Sequence, residues 1–187
     1  SAPSRACFMS GMFTPRHGIF TVGPPDWGAR TKRKLIPIPN VEDLRKDIPT
    51  MGELFKRNGY RCGHVGKWHL GDDEDGTGPL SRGFDVNVAG GRAGTPYSYY
   101  YPYCNNKGMC HIGLEKGKQG EYLTDRLTDE AVAFIKESAH GEKPFFLYLA
   151  HHAVHTPITA PQSIVDKYEK KVKCKYHTNS VYAAMVE

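Results

Sequence analysis

An amphipathic helical segment running straight into an unbroken apolar hexamer constrains this fold more than any other feature. Leu123, Leu127, Ala131, Phe134 and Ile135 fall on one helical face. Gly141 and Pro144 then bracket the end of the helix. Phe145-Phe146-Leu147-Tyr148-Leu149-Ala150 follows without a polar position, the pattern of a strand buried on both faces. An earlier stretch repeats the order. Thr50 with Glu53 three residues on is a capping box, the helix runs to Asn58, Gly59 supplies the stop, and residues 60–65 read as a short strand. Helices alternating with such strands predict an α/β domain with a largely parallel sheet. No internal repeat or low-complexity segment interrupts it.

The length of 187 residues suits one ordinary domain or a piece of a larger one. With 39% hydrophobic and 24% charged residues, 20 Gly and 13 Pro, the chain reads as folded and loop-rich rather than disordered. No apolar run approaches the ~20 residues that span a bilayer, and no signal peptide is visible. Lys and Arg total 25 against 20 Asp and Glu, a net +5, which permits an anionic substrate. No RNP motif, zinc-finger spacing or long basic block points to nucleic acid, and the basic stretch 167–175 reads as solvated surface. The five cysteines include no C-x-x-C pair. Cys104 and Cys110 flank a Gly/Asn loop, and both a bridge and free thiols are open. Pro3 suits the first turn of an opening helix, and residues 181–187 resemble the start of another, so the sequence reads as an internal fragment.

Ligands of open α/β sheets sit beyond the carboxyl ends of the strands. Gly66-Lys67-Trp68-His69-Leu70-Gly71 follows the first predicted strand, and His151-His152-Ala153-Val154-His155-Thr156-Pro157 follows the second. Lys67, His69 and His155 should therefore converge on one edge. The helix N-terminus at Ser1 favours an anion, with Arg5 one turn along. Ser1 alone reads as a helix cap. The set together describes a site for a tetrahedral anionic ester. Residues 71–120, rich in Gly, Pro, Tyr and Asn, read as a long functional excursion over the same edge. Its Tyr97, Tyr99, Tyr100, Tyr101 and Tyr103 are open between stacking on a sugar and packing against the domain.

Ser1-Ala2-Pro3-Ser4-Arg5-Ala6, with Gly11 after it, resembles the first signature of the type I (formylglycine-dependent) sulfatases, [C/S]-x-P-S-R followed by Gly. The stretch 59–71, ending in G-K-W-H-L-G, is similar to the second, and 145–157 to the strand ending in H-x-P. All three occur in the family's order across essentially the whole chain. Arg82-Gly83-Phe84-Asp85 and Glu121-Tyr122-Leu123-Thr124-Asp125 are similar to stretches of bacterial, arylsulfatase-like members that act on sulfated glycans.

The resemblance implies an alkaline-phosphatase-like fold, with residues 1–187 as part of an N-terminal catalytic domain lacking flanking strands at both ends. It implies a sulfuric ester hydrolase acting on a sulfated carbohydrate or aryl sulfate. Ser1 stands where a maturase forms formylglycine. One hydroxyl of the hydrated aldehyde attacks sulfur, and the other then drives release of sulfate. By likeness Arg5 stabilises the hydrate, Lys67 bridges it and the sulfate, His69 is the base that collapses the sulfated hemiacetal, and His155 contacts sulfate and protonates the leaving oxygen. One calcium ion is implied, with Ser1 as its only ligand in this chain and the other oxygen donors outside it. The fragment alone is therefore expected neither to fold nor to turn over. A periplasmic or secreted location is also implied.

Other motifs fail on their own terms. An EF-hand with Gly76 at its sixth position needs an acid at 71 and Glu at 82, where Gly71 and Arg82 stand. His151 and His155 have zincin spacing, but His152 replaces the Glu and Pro157 follows closely. Trp68 stands where a P-loop needs Ser or Thr, and residues 90–94 lack the dinucleotide fingerprint. Arg16-His17-Gly18 reads as structural. Two other functions remain beside the sulfatase: a phosphatase or phosphonate-ester hydrolase with unmodified Ser1, and a non-catalytic glycan-binding relative.

Overall fold

The computed structural model describes residues 1–26 and 28–187. Its centre is a parallel three-stranded sheet in the order β2-β1-β3, with β1 at Arg61–Gly66, β2 at Val86–Val88 and β3 at Phe145–Ala150. Gly63 of β1 aligns with Val86 on one side and Leu147 on the other. Alternation along β1 sends Val65 into one apolar core and Cys62 into a second on the opposite face. The first core gathers Tyr99, Tyr103, Leu123 and Leu127, and the second Ala6, Met9, Trp68 and Phe84.

Helices α1 (Ala2–Ser10), α2 (Thr14–His17), α3 (Met51–Arg57), α4 (Leu123–Ala139), α5 (Gln162–Glu169) and α6 (Ser180–Val186) surround the sheet. The capping box of α3 is complete: Glu53 N donates to Thr50 Oγ1 at 3.3 Å, and Thr50 N to Glu53 Oε2 at 2.6 Å. Leu123, Leu127, Ala131 and Phe134 of α4 are buried, while Ile135, placed on the same face from the sequence, is 39% exposed. Phe134 lies against Gly63, where a Cβ would approach its ring to 2.7 Å. A side chain at 63 would lift α4 off the sheet.

Two expectations need correction. The strand buried along its length is β1, from Cys62 to Gly66. Among the described residues β3 pairs only with β1, and its Phe145 and Leu149 are 37% and 39% exposed. Six apolar residues in a row do not state how many strands flank them. The excursion 71–120 is also more than a loop, since it contains β2 and a 3-10 turn at Leu80–Arg82. Arg82 is buried there, donating to the carbonyls of Leu44, Arg45 and Ile48 and to Glu53. Cys104 and Cys110 are joined by a disulfide. Asp72 and Asp75 of the acidic turn pair with Arg92, which also takes Asp43. Tyr99 and Tyr103 are buried in the core, which is the packing role for those two rings. His17 is buried too, with Nε2 3.3 Å from Cys7 Sγ, in keeping with a structural role.

Candidate active site

The first side of the site is the N-terminus of α1. Ser1 is the N-cap by backbone, its carbonyl accepting from Arg5 N at 3.0 Å, yet its side chain makes no capping bond. Ser1 Oγ instead lies 3.1 Å from His69 Nδ1. The helix thus offers a hydroxyl at its positive end without using it internally. One turn on, the Arg5 guanidinium donates to the Lys67 carbonyl at 2.8 Å and to the Tyr148 hydroxyl at 3.3 Å. Those bonds tie α1 to the ends of β1 and β3.

The second side follows β1. At Gly66 a Cβ would stand 2.0 Å from the Ala150 carbonyl oxygen, so only glycine lets the two strand ends close. Lys67 N donates to that same oxygen at 2.7 Å. The Lys67 side chain is buried, and burial, then the nearby Arg5 charge, lowers its pKa to about 8. His69 has a φ of 62°, which puts a non-glycine residue in the left-handed region. Its N–H donates to the Gly91 carbonyl at 2.8 Å, which holds that conformation. Burial, then Lys67 and Arg5, lowers the His69 pKa to about 4. Its imidazole is therefore neutral near pH 7, and with Nδ1 unprotonated it can accept a proton from Ser1.

The third side is the segment after β3. His155 Nδ1 lies 2.8 Å from the Thr156 carbonyl oxygen, which can only accept, so Nδ1 carries a proton and Nε2 is the ring nitrogen not engaged in that bond. Ser1, Arg5, Lys67 and His155 line one open cleft of about 430 Å³ together with Phe8 and Tyr148. His69 joins the set through Ser1. The structure thus brings the five residues singled out from sequence to one place. It adds Tyr148 and His152, neither of them given a role in the sequence reading. Strand periodicity could have found Tyr148, since it stands two residues from Phe146 on the same face of β3.

The cleft carries the charges of Arg5 and Lys67, the positive end of α1 and no carboxylate among its described lining residues. That arrangement suits a tetrahedral oxyanion. It does not suit a hard dication, which takes six to eight oxygen ligands. Among the described residues no group of three or more His, Cys, Asp or Glu is placed to hold a metal. Ser1 offers an oxygen donor, but these residues by themselves do not make a calcium site.

The sulfatase family model matches residues 1–186. N-acetylgalactosamine-6-sulfatase of Mus musculus is 33% identical over 181 residues, which cover 88% of this chain and 32% of that protein. The uncharacterized sulfatase YdeN of Escherichia coli (strain K12) is 29% identical over 208 residues, covering 100% of this chain and 33% of that protein. The crystal structure of Ps i-CgsB in complex with k-i-k-neocarrahexaose matches with a TM-score of 0.67 and 32% identity, over 100% of this chain and 41% of that one. The chain spans about a third of the length of these curated relatives. Its helix-flanked parallel sheet is part of the alkaline-phosphatase-like fold that such structures share. With signature residues, cleft and family match in agreement over nearly its whole length, the chain belongs to the sulfatase family.

Proposed function

We propose that this chain supplies one wall of the active site of a sulfuric ester hydrolase. The observation that carries this is the Ser1 hydroxyl, free of its own helix and facing His69 beside Arg5 and Lys67. Oxidised to formylglycine by a maturase, Ser1 would supply a hydrated aldehyde whose hydroxyl is a nucleophile toward sulfur and whose second hydroxyl allows sulfate to leave. Arg5 and Lys67 neutralise the negative charge of the bound ester. His69, neutral and 3.1 Å from Ser1 Oγ, takes the proton at that oxygen. His155, protonated on both ring nitrogens, would give its Nε2 proton to the departing alcohol oxygen and be left as the neutral ring with Nδ1–H on the Thr156 carbonyl. Calcium belongs to this reading as a family property, with Ser1 the one oxygen donor proposed from this chain.

Sulfated carbohydrate is the substrate class we infer, with aryl sulfates as surrogates. A relative named N-acetylgalactosamine-6-sulfatase and a similar structure holding k-i-k-neocarrahexaose support that class. The Cys104–Cys110 bridge supports an oxidising compartment, periplasmic or extracellular. No helix among the described residues is long and apolar enough to cross a membrane.

The test is the mass of the peptide carrying Ser1, taken from full-length protein made in its native host. A mass lower by two hydrogens is expected. An unmodified Ser1 in active protein would instead favour a phosphate-ester hydrolase.

A further inference from the structure

Tyr99 is almost wholly buried, and its hydroxyl makes two bonds, both to the backbone of His155. Tyr99 Oη donates to the His155 carbonyl at 2.9 Å, and His155 N donates back to Tyr99 Oη at 3.2 Å. One phenol thus fixes both backbone polar groups of a single residue, 56 positions along the chain. The ring is held as firmly as the hydroxyl. Tyr99 stacks on Tyr122 at 5.8 Å between centroids. Leu123 N, at the start of α4, donates to the Tyr99 carbonyl at 2.8 Å. Tyr122 takes a second grip on the same segment, donating from its hydroxyl to the Thr159 carbonyl at 3.0 Å.

We propose that Tyr99 is a positioning residue that sets the His155 imidazole for proton delivery to the leaving alcohol. The inference rests on the acid role assigned to His155 above. His155 stands on a segment with no regular secondary structure, between β3 and α5. Such a segment has no ladder to define where its side chains point. Tyr99 supplies the missing constraint from the excursion, a neutral donor and acceptor in one group. Without the hydroxyl, the His155 N–H and carbonyl lose both partners and the segment is free to shift. General-acid geometry tolerates little shift, because the proton must be within hydrogen-bond reach of the departing oxygen.

The signature of such a role is dependence on the leaving group. A poor leaving group such as a sugar alcohol needs the proton. A nitrophenolate leaves with little help. The experiment compares full-length wild type, Tyr99→Phe, Tyr122→Phe and His155→Ala on a sulfated sugar and on 4-nitrophenyl sulfate. Tyr99→Phe keeps the ring and is expected to lower kcat on the sugar sulfate by about 10–100-fold, below the 10²–10⁴ of a lost general acid. On the aryl sulfate the expected change is less than about threefold by the same argument. His155→Ala should show the same selectivity with larger amplitude. Tyr122→Phe loosens the segment elsewhere and should show none. Equal losses on both substrates for Tyr99→Phe, or no loss, with His155→Ala still selective, would overturn the proposal and leave the acid role standing. A His155→Ala variant without selectivity would remove the acid role, and the proposal with it. Failure of wild type to cleave either ester would instead remove the sulfatase reading itself.

Discussion

Gly94 leaves no room for a side chain: a Cβ there would stand 2.2 Å from Cε1 of the His69 ring. Its φ is outside the left-handed region, so the obstacle alanine meets is the ring. Gly94→Ala therefore tests the ring position apart from the fold. The imidazole has to move by roughly 1 Å, a displacement that costs on the order of 10²-fold in a positioned reaction. We expect kcat/KM for a sulfate ester to fall by about that factor in the full-length protein, with a thermal midpoint near that of wild type. An unchanged kcat/KM would show that His69 does not act from the place seen here. Nothing in the sequence marks Gly94, one of 20 glycines, as the neighbour of His69. His69 itself was legible, because a histidine two residues past a strand-ending Gly-Lys lands on the carboxyl edge by geometry alone. Tyr99 was visible only as one ring among several. Its partner lies 56 residues away, a relation that local pattern does not contain.

Helix α3 shows what local pattern does contain. Thr50 and Glu53 announce its N-terminus in four letters, and both reciprocal bonds are made. What the pattern omits is that Thr50 Oγ1 also donates to the Arg82 carbonyl at 2.9 Å, and that the Arg82 side chain reaches back to Glu53. The helix start and the 3-10 turn at Leu80–Arg82 are thus one hydrogen-bonded unit beneath the sheet. Two substitutions rank its parts. Thr50→Ala removes a cap and one tertiary bond, a loss of about 1–2 kcal/mol. Arg82→Ala strands the carbonyls of buried Leu44 and Ile48, removes the bond to the Arg45 carbonyl and leaves Glu53 without its cation, a loss of about 3–5 kcal/mol. Urea midpoints of the full-length protein measure both, and a larger loss for Thr50→Ala would show the cap, not the arginine, to be the joint. β2 escaped the sequence reading for a related reason. Val86-Asn87-Val88 is too short to display a period, and it becomes a strand because β1 offers an edge to pair with. The burial of β3 was misread because apolar content reports a tendency to be covered, whereas the cover itself comes from neighbours.

At the scale of the molecule, surface decides. The chain exposes 11497 Å². A compact monomer of its mass, 20.9 kDa, exposes about 9,000 Å². Part of the excess is apolar: Phe8, 60% exposed, lines the cleft and stacks on Tyr148 of β3, while Phe145 and Leu149 are exposed on the other face of that strand. β3 offers a further edge, since its ladder is formed with β1 alone among the described strands. An open edge beside uncovered aromatic side chains is a surface that natural domains cover. The 187 residues produced by themselves are therefore expected to bind the hydrophobic dye ANS at neutral pH and to unfold in urea over a broad range with a shallow slope. The full-length protein, in which relatives carry about twice as much additional chain, should bind little dye and unfold steeply. The comparison also bears on catalysis, because Arg5 keeps its place beside Lys67 and Tyr148 only if α1 stays docked on β1 and β3. If the isolated chain excludes ANS and unfolds in one sharp step, the exposed faces need no cover. The three-stranded sheet would then hold the cleft unaided.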